Sequence, residues 1–71
     1  MNPVNPKKLL HSKWTAVEPR NRQKHFIVTK VLEDDAGVPQ RCVLEAVYSH
    51  REIRLDWRAL GDNAVWKVGW K

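Results

Sequence analysis

One cysteine, Cys42, stands among the 71 residues of this chain. No disulfide can form within it, so the framework that holds many small secreted domains together is excluded. No apolar run approaches the roughly 18 residues needed to span a bilayer. The first residues carry no secretory apolar segment. These absences lead us to expect a cytoplasmic protein with no membrane segment. Metal ligands are sparse too. Cys42, His11, His25 and His50 form no pair at the spacing of a zinc motif, so no metal site and no cofactor is expected. Ser12, Ser49 and Cys42 are the available nucleophiles, and none stands beside an obvious base. Asp34-Asp35 reads as a turn, and Glu52 and Asp56 as a solvated strand face. A chain this short also leaves little room for a pocket of about 300 Å³ or more. An enzyme is not expected.

What the chain does have is tryptophan, four in all. A single domain of this length is marginal on size alone. Each indole buries about 150–250 Å², which helps close a small core. The net charge is +5, and it is unevenly spread. Residues 1–30 carry seven lysines and arginines against one acid; residues 31–71 carry six against seven. An electropositive half favours an anionic partner such as RNA, DNA or an acidic protein surface.

The alternation of side chains predicts a small, mainly β domain over 1–71. Its core is expected to be a four-stranded antiparallel meander, at 12–17, 24–33, 39–48 and 51–57, curled towards a partial barrel. The central pair, Lys24–Glu33 and Gln40–Tyr48, holds most of the aliphatic residues. It is joined through Asp34-Asp35-Ala36-Gly37, a hairpin loop. Phe26, Val28, Lys30 and Leu32 share one face of the first of these strands, and neither face is cleanly polar. Cys42, Leu44 and Ala46 mark the apolar face of the next. In the last strand Ile53, Leu55 and Trp57 should face the core. Residues 1–6 read as a loose lead-in. Asn5-Pro6 suits the start of a short helical turn carrying Lys7-Lys8-Leu9-Leu10. After Trp57 the tail reads as irregular, with a 3₁₀ turn stopped by Gly61. Trp66 and Trp70 are expected to bring that tail back over the sheet, because two indoles left in water would be costly.

Several segments together resemble a known family. They are Pro6-Lys7-Lys8-Leu9-Leu10, Ser12-Lys13-Trp14-Thr15-Ala16 and Lys24-His25-Phe26-Ile27-Val28-Thr29. Trp57-Arg58-Ala59-Leu60-Gly61-Asp62, then Trp66 and Gly69-Trp70, complete the set. The chain resembles, over nearly its whole length, a small tryptophan-rich family of bacterial hypothetical proteins found in proteobacteria and cyanobacteria, a domain of unknown function. The resemblance implies a bacterial cytosolic protein with recurrent aromatics at Trp14, Phe26, Trp57, Trp66 and Trp70. It implies no activity, cofactor or catalytic residue.

Function therefore rests on the residues. Small β modules bind single strands by stacking bases on exposed aromatics and holding phosphates with Lys and Arg. The expected nucleic-acid-binding residues are Lys7, Lys8, Lys13, Arg20, Arg22 and Lys24 for phosphates, with Trp14 or His25 for a base. The partner would be RNA or single-stranded DNA. The alternative is a protein partner, or a second copy paired along an edge strand, bound through Arg54, Arg58, Trp66 and Trp70, residue types common at interface hot spots. The oligomeric state is left open. If an exposed aromatic lies on the electropositive face, nucleic acid gains; if the exposed aromatics lie on the neutral C-terminal half, protein gains.

Overall fold

The computed structural model describes residues 1–20 and 23–71. Strands β2 (Gln23–Glu33) and β3 (Pro39–Ala46) form the centre of the sheet. Strands β1 (Lys13–Arg20) and β4 (Glu52–Asp56) flank them, and a short β5 (Trp66–Val68) lies outside β1. The sheet is mainly antiparallel β throughout, with five strands in the order β4-β3-β2-β1-β5. Two 3₁₀ turns, Pro6–Lys8 and Trp57–Gly61, complete the regular elements.

The expected four-stranded partial barrel is corrected in two ways. The tail contributes a fifth strand rather than staying irregular. The sheet also stays open, with β4 and β5 as its two edges. Closure needs edge strands long enough to pair with each other, and β5 offers three residues. The molecule is 15 Å across in its thinnest direction, about one sheet plus one covering layer.

That layer covers one face only. Trp14, Phe26, Val28, Cys42, Leu44, Ala46 and Trp66 are buried on it, capped by Leu9 and Leu60. Phe26 and Trp66 meet edge to face, with ring centroids 5.3 Å apart. The first strand faces as expected, with Trp14 inward. β2 does not hold one parity along its length. Val28 pairs with Leu44, but Lys30 pairs with Val43, so Thr29 is an extra residue in a bulge. The bulge turns Val31 towards the core and sends Lys30 and Leu32 outward. This is why neither face of that strand reads as cleanly polar. In β4 Leu55 packs on the core, as does Trp57 just beyond the strand, whereas Ile53 is exposed at the open edge.

The lead-in is not loose at Asn2. Its side-chain amide donates to the carbonyls of Leu60 (3.0 Å) and Trp66 (2.7 Å), and its backbone N–H donates to Gly61 O (2.9 Å). These bonds satisfy carbonyls of the second 3₁₀ turn and of β5. Asn5 caps the first 3₁₀ turn by accepting from the Lys7 N–H.

Candidate nucleic-acid interface

The uncovered face of the sheet carries the feature of interest, and its assembly begins at Gly69. This glycine has φ of +81°, a left-handed conformation that side-chain-bearing residues adopt at a cost. The chain leaves β5 there and crosses over β1. Thr15, buried on β1, holds the crossing on both sides. Its hydroxyl donates to Gly69 O (2.7 Å) and accepts from the Lys71 N–H (2.9 Å). Trp70 is thereby laid across the uncovered face, and its indole N–H donates to Phe26 O on β2 (2.9 Å).

Two basic side chains meet this indole. The Lys13 ammonium sits 4.7 Å from the Trp70 ring centroid, within cation–π reach. The His25 ring lies 6.0 Å from it, centroid to centroid, and His25 Nε2 donates to Lys71 O at 3.0 Å. Trp70 is nevertheless 43 % exposed. On the far side of His25, a shallow hollow is lined by Lys24, His25, Val47 and Tyr48, and Tyr48 is 76 % exposed. Another hollow brings together Lys24, Lys67 and Lys71 beside Thr15. The result is two exposed aromatic rings near His25, with four lysines and one histidine gathered from β1, β2, β5 and the tail.

Of the expected residues, Lys13, Lys24 and His25 belong to this surface. Trp14 does not. It is 3 % exposed, its indole N–H donating to Ser12 Oγ at 2.8 Å, so it cannot offer a face to a base. An even-numbered residue on β1 points into the core, and that parity decides the matter. Lys7 and Lys8 are exposed on the first 3₁₀ turn, and Lys8 lines a hollow with Lys13, Val68 and Gly69, whereas Lys7 lines neither of the hollows beside His25. Arg22 and the side chain of Arg20 lie outside the described residues.

The four residues of the alternative patch are not brought together. Trp66 is buried against Phe26. Arg54 lies on β4, at the opposite edge of the sheet from β5. Arg58 stacks over Trp57 at 4.9 Å and pairs with Asp56. Of the two tryptophans in that patch Trp70 alone is exposed, and it sits among the basic residues.

Sequence reasoning missed Tyr48, Lys67 and Lys71. Lys67 and Lys71 belong to the half whose charges nearly balance along the chain. Pairing of Thr15 with Lys67 across β1 and β5 carries them to the electropositive half. A Gly-Trp pair just after a Lys-bearing strand was the available signal.

Chemically, the surface can stack planar rings and hold anions. Among the described residues no group of three or more His, Cys, Asp or Glu is placed to hold a metal ion. Cys42 has no place in the surface; burial pushes its thiol up to about 11, with the Asp56 carboxylate adding to the effect. Among the described residues no helix is long and apolar enough to cross a membrane.

The fold and this surface define a class: an open antiparallel β domain with one sheet, two tryptophans buried in the core, and one aromatic-basic face left uncovered. Residues 12–71 match the Tryptophan-rich protein (DUF2389) family, and the chain belongs to it. No match was found among curated proteins or among solved structures.

Proposed function

We propose that this protein is a non-enzymatic module of the bacterial cytoplasm that binds single-stranded RNA or DNA on the uncovered face of its sheet. The observation that carries the reading is Trp70, an exposed indole held between Lys13 and His25. Bases stack on aromatic faces with little regard to sequence, while lysines neutralise the backbone. Tyr48, beyond His25, supplies a second ring. Trp70 replaces Trp14 as the stacking residue, and Lys67 and Lys71 join Lys13 and Lys24 as phosphate contacts. Rigid placement supports the role, because Trp70 is held by its own indole hydrogen bond and by the Thr15 clamp on either side. The exposed aromatics lie with the electropositive residues, which favours nucleic acid over a protein partner.

The experiment is fluorescence anisotropy with labelled oligonucleotides, single-stranded RNA, single-stranded DNA and duplex, across a salt series. Stacking on Trp70 requires unpaired bases, so single strands should bind more tightly than duplex of the same length. Equal binding to duplex would point to charge alone and remove the stacking role.

A further inference from the structure

We infer that the hollow formed by Lys24, Lys67 and Lys71 is a phosphate site, and that it takes the phosphate next to the base stacked on Trp70. The nucleotide part of this inference rests on the nucleic-acid reading; the anion part does not. The hollow has a volume of about 260 Å³ and opens beside Thr15, Val17 and Pro19. Its three lysines come from three separate segments, β2, β5 and the tail. Among the described residues no Asp or Glu side chain lines it. Both ion pairs found among the described residues, His50 with Glu45 and Arg58 with Asp56, lie elsewhere.

Three ammonium groups brought to one hollow repel one another, and a bound oxyanion turns that repulsion into attraction. Phosphate suits lysine as a compact, multiply charged acceptor. The Thr15 hydroxyl is already committed, donating to Gly69 and accepting from Lys71, so it fixes the wall rather than meeting the ligand. Lys71 follows Trp70 directly. A nucleotide with its base on that indole therefore has its phosphate within reach of the hollow.

The test uses the ¹⁵N-labelled full chain titrated with inorganic phosphate, with ionic strength held constant by sodium chloride. The expected result is saturable amide shifts confined to Thr15, Val17, Lys24, Lys67 and Lys71, and lost in the Lys24→Gln/Lys67→Gln variant. Both lysines are exposed, so the variant should keep the remaining spectrum. Shifts that grow linearly and spread over every surface lysine, or that survive in the variant, overturn the site. A second arm titrates wild type and variant with a single-stranded oligonucleotide. Loss of that one phosphate contact should flatten the log–log salt slope by about 0.7. Saturable phosphate binding without oligonucleotide binding would uphold the anion site and defeat the nucleic-acid reading. Oligonucleotide binding whose salt slope ignores both lysines would uphold that reading and defeat the phosphate site.

Discussion

Trp70→Ala tests stacking on the uncovered face directly. The side chain is 43 % exposed, so part of the indole already faces solvent. Its loss removes one hydrogen bond to Phe26 O and the Lys13 contact. The bond is worth about 0.5–1.5 kcal/mol net and the cation–π contact about 0.5–1 kcal/mol at an exposed site. Lost burial adds to these. The domain should lose on the order of 2–3 kcal/mol and remain folded at low temperature. Base stacking is worth about 1–3 kcal/mol per base, so affinity for a single strand should fall roughly 5- to 150-fold. The lysines remain, so the salt slope should stay within about 0.5 of wild type. Urea titration followed by circular dichroism gives the folded fraction, and anisotropy at a temperature where that fraction is complete gives the affinity. Trp70→Phe should recover part of the binding, because a ring remains. An affinity within twofold of wild type in folded Trp70→Ala would refute the stacking role.

Other substitutions test the frame that holds this surface. Trp14→Ala should cost about 3–5 kcal/mol, a large fraction of what so small a domain has, and should read out as unfolding by circular dichroism rather than as a selective loss of binding. Asn2→Ala should cost about 1–2 kcal/mol by leaving the Leu60 and Trp66 carbonyls without that partner, with faster amide exchange around β5. Gly69→Ala meets open space but a φ of +81°, so strain alone should cost about 1 kcal/mol and loosen the Trp70 crossing, seen as increased collisional quenching of tryptophan fluorescence. The Cys42 thiol is raised to about 11, above its unfolded value near 9. Its contribution is therefore intact below pH 9 and is lost as pH rises towards 11, on the order of 2–3 kcal/mol, whereas Cys42→Ala should show a flatter alkaline limb in urea titrations.

The centre of the sheet was legible because its strands are long enough for alternation to speak. Strands expected at 24–33, 39–48 and 51–57 occur at Gln23–Glu33, Pro39–Ala46 and Glu52–Asp56. The Thr29 bulge was hidden, since one extra residue reverses side-chain parity without changing composition. β5 was hidden for another reason. Trp66-Lys67-Val68 is too short to show a period, and its partner β1 lies some 50 residues away in the chain. The same long-range pairing explains the site. Lys13, Lys24 and His25 were named from local charge, but Trp70, Lys67 and Lys71 reach them only when the two ends of the chain meet. Trp14 was misread because its neighbours Lys13 and Thr15 face outward while it faces in, and a basic neighbourhood in sequence says nothing about which face a ring takes.

An amide chemical-shift titration of the labelled protein with a short single-stranded oligonucleotide, at low and at physiological salt, tests the central claim most directly. Shifts should concentrate on Lys13, Lys24, His25, Tyr48, Lys67, Trp70 and Lys71, including the Trp70 indole N–H, with the Trp14 and Trp66 indoles little changed and the effect weakened by salt. Absence of shifts at low salt, or shifts centred on the β4 edge, would contradict it.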